Sequence, residues 1–257
     1  MKVVVLVKEV PDTYGERSLN LETGLAVRTG ENVVDEIGER ALEVALTFAD
    51  SREGVEVSLL SMGPEGATAS IRKGLAMGAA SATHVVDDGL VGADLTLTAE
   101  VLAAALTKTG FDLVIAGNQS TDGVGGAVPA MLAELLRVPN VTNLSAVEFG
   151  EGEVSGVRAV DNATQRVTAT LPAVISVTEA LPDARFPNFK GIMAAKKKPV
   201  ETFSLADLGI DPEDMSASRA IMLTVAERPP RAAGVKIADE GDAGAKLAAY
   251  LVENRLV

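Results

Sequence analysis

An α/β fold with a mostly parallel, doubly wound sheet is the fold class that the 257-residue sequence predicts. Short, wholly apolar runs rich in β-branched residues recur through the first half of the chain, as strands covered on both faces require. Each is followed by a segment whose apolar residues return at helical spacing. Strand and helix in alternation imply right-handed crossovers, and so a parallel sheet between two helical layers. A hydrophobic content of 47% is enough for a substantial core.

The first run, Val3 to Val7, leads to a helix over Asp35 to Asp50, where Ile37, Ala41, Leu42, Ala45, Leu46 and Phe48 share a face behind an acidic first turn. "VEVSLLSMG" (55 to 63) is the second strand, and Pro64 is placed as the first residue of a helix with Ala67, Ile71 and Leu75 inward. "ATHVVDD" (82 to 88) is the third, followed by a helix capped by Asp94 that turns Val101, Leu102, Ala105 and Leu106 inward. "FDLVIAG" (111 to 117) is the fourth, and a helix over Pro129 to Leu136 follows. Ligands on such sheets bind beyond the carboxyl ends of the strands. The segments that could form a site are therefore Lys8 to Tyr14, Met62 to Pro64 and the loop after Gly117.

Beyond Leu136 the pattern changes. "NLSAVEFG", "EVSGVRAV" and "QRVTATL" alternate apolar and polar residues, which predicts an antiparallel β meander over about 141 to 170 with one wet face. "PAVISV" (172 to 177) is wholly apolar and returns to the buried sheet. A short helix near Leu205 to Leu208, the linker "RPPRAAG" (228 to 234) and a helical pattern from Ala243 to Leu251 complete the chain. This gives an α/β domain over 1 to 227 that includes the meander, and an extended C-terminal arm over 228 to 257.

With no cysteine, disulfides, iron–sulfur clusters and thiolate catalysis are excluded. A net charge of −13 argues against nucleic acid as a partner. The apolar run at the N-terminus is too short for a signal-peptide core or a membrane span, so a cytoplasmic protein without membrane insertion is expected. The single histidine, His84, lies mid-strand, where it reads as a core or edge residue. The acidic pairs Asp87/Asp88 and Glu151/Glu153 flank turns and read as solvated surface. No metal cluster and no catalytic set can be assembled from the spacing.

"AGNQSTDGVGGAVPAML" (116 to 132) has the parts of a phosphate site. Gly123, Gly125 and Gly126 allow close backbone approach, Ser120 and Thr121 offer hydroxyls, and Pro129 opens a helix whose free N–H groups point at the loop. It is neither a P-loop nor a dinucleotide fingerprint. A flexible strand-to-helix loop is the alternative, but the position at the sheet's carboxyl edge favours phosphate.

Together with "VLVKEVPDT", "DEIGERALEVAL", "SMGPE", "IRKGLAMGA", "LPAVISV", "FKGIMAAKKKP" and "AGVKI", this loop resembles the beta subunits of electron transfer flavoproteins over nearly the whole chain. The resemblance implies a Rossmann-like, adenine-nucleotide-binding fold and a heterodimer with an alpha subunit, contacted by the arm. In that family the alpha chain holds most of the FAD, and the beta chain buries an AMP without redox role. Electrons pass from acyl-CoA and related dehydrogenases, as in fatty acid oxidation, through FAD to a quinone reductase. An electron carrier without catalysis of its own is thus implied. The AMP site maps to Leu6, Asp35, Glu36, Ile37, Gly38 and Met62. It continues through the loop Gly117, Asn118, Gln119, Ser120, Thr121, Asp122, Gly123, Val124, Gly125, Gly126, Ala127 and Val128.

Asp35 and Glu36 stand where many members carry Asn-Pro, and an acidic side chain there is expected to face the ribose or solvent. Tyr14 is the candidate aromatic approaching the flavin, and Ile37 replaces an aromatic near it. Two other readings stay open. One is a bifurcating flavoprotein with a second FAD in place of AMP; the other is a stand-alone adenine nucleotide hydrolase or sensor, for which Asp122 is the only loop carboxylate.

The segment "FPNFKGIMAAKKKPV", within about 184 to 200, adds a docking element. From Arg185 to Val200 there are five positive charges and no negative one, beside Phe186, Phe189, Ile192 and Met193. A surface helix with its apolar face tucked inward would explain this, as would a helix presenting that face to a partner. The resemblance implies the second: Phe189, Lys190, Ile192 and Met193 anchor the dehydrogenase, with the lysines as a basic collar.

Overall fold

Seven parallel strands form the central sheet of the computed structural model, which describes residues 1–257. Strand β1 (Lys2–Leu6) is followed by a small antiparallel pair, β2 (Glu9–Pro11) and β3 (Asn32–Val34), and by helix α1 (Glu36–Ser51). Then come β4 (Glu56–Met62), α2 (Thr68–Met77), β5 (Ser81–Val85), α3 (Leu95–Thr109), β6 (Leu113–Gly117) and α4 (Val128–Leu136). The chain continues through β7 (Asn140–Leu144), β8 (Ala146–Phe149), β9 (Glu153–Val160), β10 (Ala163–Thr170) and β11 (Ala173–Val177). Last are α5 (Phe189–Ala195), β12 (Val200–Phe203), α6 (Leu205–Leu208) and α7 (Ala243–Glu253).

The order across the central sheet is β12-β5-β4-β1-β6-β11-β7, with every pairing parallel. From β1 the chain winds outward through β4 and β5, then crosses back to β6 on the other side of β1. That reversal opens a crevice beyond the carboxyl ends of β1 and β6, the usual ligand position in such sheets.

The period-2 geometry of a strand explains why the runs are wholly apolar. Val3 and Val5 of β1 face a core built with Leu42, Leu46 and Phe48 of α1 and with Ile71 and Leu75 of α2. Val4, between them, faces a second core built with Val101 and Leu106 of α3 and Leu132 of α4. Leu113 and Ile115 of β6 join the first core while Val114 joins the second. Each such side chain removed from water contributes about 1.5–3 kcal/mol, and a strand using both faces collects this at every residue.

Four local features differ from the sequence expectation. "NLSAVEFG" is not one meander strand: Asn140–Leu144 lies parallel beside β11, and only Ala146–Phe149 enters the antiparallel sheet β10-β9-β8. The chain turns between sheets at Asn143, which adopts φ 60°, and at Ser145, whose N–H donates to the Val157 carbonyl at 2.7 Å. Val141 and Leu144 sink into the first core, whereas Phe149 stacks on Phe48 with ring centroids 4.0 Å apart. Val200–Phe203 forms an edge strand on β5 that periodicity did not reveal. β2 and β3 form a short pair that was equally unannounced. Pro64 is an extended cap, with a single 3-10 turn at Glu65–Ala67 before α2 begins.

The chain divides into two compact units, Met1–Leu223 and Thr224–Val257. The second contains α7, none of whose residues is buried. No helix is long and apolar enough to cross a membrane.

Candidate functional site

Between β6 and α4 the chain makes the loop Asn118 to Ala127, and its shape follows from a few bonds. The Asn118 N–H donates to the Val177 carbonyl at 2.9 Å, fixing the loop's start to β11. Val124 and Gly126 adopt φ 50° and 63°, so the backbone turns twice through the left-handed region. Glycine takes that conformation without cost, and a β-branched residue does not. A Cβ at Gly125 would lie 3.4 Å from the Leu95 side chain.

Helix α4 then begins at Val128 with no side-chain cap. Helices α1 and α2 also lack a side-chain cap, whereas α3 is capped by Asp94, which accepts from the Leu97 N–H at 2.8 Å, and α6 carries a full capping box at Ser204. An uncapped N-terminus leaves backbone donors and the positive end of the helix dipole facing the glycine loop, which suits an anion.

Charge converges on the same loop from distant parts of the chain. Lys8 Nζ lies 2.7 Å from Asp122 Oδ1 and 3.4 Å from Ser120 Oγ, and Arg28 Nη2 lies 2.7 Å from Asp122 Oδ2. Arg17 donates to the Thr121 carbonyl. Burial pushes the Asp122 carboxyl up, but the hydrogen bond and charge of Lys8, with Ser120 and Arg28, outweigh it and hold the group well below the usual carboxylate range. Sequence reasoning missed Lys8, Arg17 and Arg28 as loop partners; only Lys8, two residues beyond β1, carried a positional signal.

Of the two acidic residues expected to face the ribose or solvent, Glu36 is exposed, whereas Asp35 turns away from solvent. It is 2% exposed, and its Oδ2 accepts the Thr121 N–H at 2.8 Å while Oδ1 has no partner. The last residue before α1 turns inward because the loop's backbone offers it a donor. Burial raises its pKa, only partly offset by the N–H groups of Thr121 and Ile37.

The residues assigned to the site fall on two sides of this loop. Glu36, Ile37, Asn118, Gln119, Ser120, Thr121 and Val124 line a cleft of about 520 Å³ together with Thr13, Arg17, Arg40 and Glu179. Leu6, Met62 and Val128 instead pack against the second core, on the α3 and α4 side, with Leu90 and Ala93. Gly117 sits beneath Ile37, where a Cβ would come within 2.6 Å of Ile37 Cγ2. Gly38 lies against β1, where a Cβ would be 3.6 Å from Val7 Cα. Tyr14 is 98% exposed and outside the cleft lining, although its neighbour Thr13 is part of it. His84 is buried with Nε2 unpartnered, and burial lowers its pKa.

At the docking segment the apolar residues face outward. Phe186 is 94% and Phe189 80% exposed, with Ile192 and Met193 about half exposed. Asn188 caps α5 by accepting the Gly191 N–H at 2.8 Å. Gly191 lets the helix seat on α2, since a Cβ there would meet the Ala76 carbonyl oxygen at 2.4 Å. The expected basic collar is reduced. Lys198 donates to the Leu75 and Ala79 carbonyls at 2.8 and 2.6 Å, and burial lowers its pKa. Arg185 pairs with Glu43 and Asp50. Lys190, Lys196 and Lys197 remain exposed.

Comparison with known proteins places these features in context. An Electron transfer flavoprotein domain matches residues 23–208. The electron transfer flavoprotein subunit beta of Mycobacterium tuberculosis is 46% identical over 263 residues, covering 99% of both chains. That of Mycobacterium leprae is 44% identical over the same share. A caffeyl-CoA reductase-Etf complex subunit, CarD, of Acetobacterium woodii is 33% identical over 215 residues, 83% of this chain and 82% of its own.

Proposed function

The chain belongs to the beta subunits of the electron transfer flavoprotein family, and from that premise we propose that it binds AMP at the loop before α4, covers the FAD held by an alpha subunit, and docks the donor dehydrogenase through α5. The single observation that carries the nucleotide assignment is the glycine loop at the sheet's switch point, whose backbone turns twice through the left-handed region before the free N-terminus of α4. The N–H groups of the first turn of α4 would receive the phosphate, and Gly123, Gly125 and Gly126 would let it approach. Leu6, Met62 and Val128 offer apolar surface on that side.

On the other side, the cleft holding Ile37 would face the alpha subunit's FAD, with Tyr14 at its margin. FAD supplies the redox chemistry when bound. The residues of this chain would contribute position: Ile37 would cover the flavin with an apolar side chain, and Arg17 would offer a positive charge at the cleft wall, Arg40 there being paired with Glu36 and Asp183. Electrons would run from acyl-CoA and related dehydrogenases to a quinone reductase, in the cytoplasm. A hydrolase is disfavoured because Lys8 and Asp122 neutralise one another instead of serving a γ-phosphate or a metal.

The second reading is a bifurcating flavoprotein with two FAD, since a second FAD would present an adenosine and a phosphate to the same loop; one relative, CarD, is a subunit of a caffeyl-CoA reductase-Etf complex. Purifying the complex with its alpha chain, denaturing it and counting the released nucleotides separates the two. One AMP and one FAD are expected; two FAD would establish the bifurcating reading, and no adenine nucleotide beyond the FAD would remove the AMP site. For docking, Phe189→Ala is expected to raise the dehydrogenase's apparent KM for the flavoprotein about tenfold, with FAD content unchanged.

A further inference from the structure

The strap between β11 and α5 is fastened to one stripe of α1. Glu36, Arg40, Glu43, Thr47 and Asp50 recur at helical spacing and so lie on one face. At the near end, Arg40 donates to the Leu181 carbonyl at 2.5 Å and pairs with Asp183 and Glu36. Both of those carboxylates are exposed, so this clasp is weak.

At the far end the clasp is tight. The Arg185 backbone N–H and Nε donate to Glu43 Oε2 at 2.9 and 2.8 Å, Nη2 donates to Glu43 Oε1 at 2.9 Å, and Nη1 donates to Asp50 Oδ2 at 2.8 Å. Glu43 also accepts from Thr47 Oγ1 at 3.0 Å. A fork-to-carboxylate pair with both oxygens engaged fixes orientation as well as distance.

Only three residues separate this clasp from Phe189, and they have little slack. Phe186 precedes a proline and is biased to extended backbone. Pro187 has its φ fixed by its ring. Asn188 is held extended at φ −83° and ψ 166° as the cap of α5. The remainder of α5 is fixed separately, by Gly191 against Ala76 and by Arg72, which donates to the Ala195 and Lys198 carbonyls at 2.7 Å each. The start of α5 ahead of Gly191, with Phe189, is therefore the part governed from Arg185.

We propose that Arg185 is a positioning residue for dehydrogenase docking: clamped by Glu43 and Asp50, it presets the start of α5 so that Phe189 is presented ready for the partner. This rests on the docking reading above. Arg185 itself does not touch the partner; it acts through Phe189.

The test is a double-mutant cycle on the complex with the alpha subunit, reading the donor dehydrogenase's KM and kcat for the flavoprotein. Arg185→Ala is expected to raise KM severalfold with kcat unchanged, and Arg185→Lys to recover only part. The Arg185→Ala/Phe189→Ala pair is expected to behave as Phe189→Ala alone, because the two act through one contact. Glu43→Gln approaches the same clasp from the other side, should Arg185→Ala fail to fold, and its KM rise should also vanish in the Phe189→Ala background. Additive KM effects, or an unchanged KM in Arg185→Ala and Glu43→Gln while Phe189→Ala is impaired, would overturn the positioning role and leave docking intact. An unchanged KM in Phe189→Ala alone would bring down the docking reading, and this proposal with it.

Discussion

The loop before α4 and helix α5 are the two elements proposed to meet something outside the chain, yet they are built in opposite ways. In the loop, side-chain charges are satisfied internally, with Asp122 held by Lys8 and Arg28, and the groups left free are backbone N–H donors at α4. In α5, backbone and charge are consumed in fixing the helix through Arg72, Arg185 and Lys198, and apolar side chains are left free. A small anion is recognised by oriented dipoles that carry little conformational entropy. A protein surface is recognised by apolar area in a few anchors. What each element leaves unsatisfied indicates the ligand class it suits.

The comparison can be broken first at its two glycines. Gly191→Val should be the largest effect: a side chain driven toward the Ala76 carbonyl must lift α5 from α2. Overpacking of this kind costs about 1–3 kcal/mol, and docking should weaken by more than tenfold while nucleotide content stays normal. Gly126→Val should do the converse. Forcing a β-branched residue to φ 63° costs about 1–2 kcal/mol, and the purified complex should lose its AMP but keep its dehydrogenase KM. If either variant damaged both functions equally, the two elements would not be independent.

Acid should separate them next. Asp122 has a folded pKa below its ordinary value of 3.8, so its contribution is present above that value and lost as pH falls toward the folded one. Asp122→Asn removes that dependence. Below about pH 4 the wild-type chain should lose stability faster than Asp122→Asn, by on the order of 1–3 kcal/mol, when unfolding is followed by circular dichroism. Parallel curves for the two proteins would mean that the Lys8 and Arg28 pairs add nothing.

The sequence was most legible where one short segment sufficed. Val3 to Val7, the capping Asp94 and the glycines before Pro129 each carry their structural meaning within a few residues. The outward face of Phe189 was undecidable from periodicity, since a tucked and a presented helix share one pattern. Val200–Phe203 was invisible because a four-residue edge strand with two exposed positions has too little alternation to read. The meander's first strand was misread because Asn143 and Ser145 switch sheets inside an alternating run. The pairing of Arg185 with Glu43, and of Lys8 with Asp122, joins residues more than a hundred apart, and only the packed fold brings them together.

The smallest effect concerns two adjacent lysines that look alike in sequence. Lys198→Ala removes the donor to the Leu75 and Ala79 carbonyls at the end of α2. Leaving buried acceptors unpaired costs about 1–3 kcal/mol, so the melting temperature should fall by a few degrees with little change in the salt dependence of docking. Lys197 is exposed and holds no side-chain partner, so Lys197→Ala should leave stability within about 0.5 kcal/mol. Its effect should appear in the association rate with the dehydrogenase, slowed a few-fold at low salt and not at high salt, because a rim charge steers encounter more than it holds the complex. Rapid mixing at two ionic strengths decides it. A salt-dependent rate change in Lys198→Ala of the same size would mean that the buried lysine still contributes to the surface field.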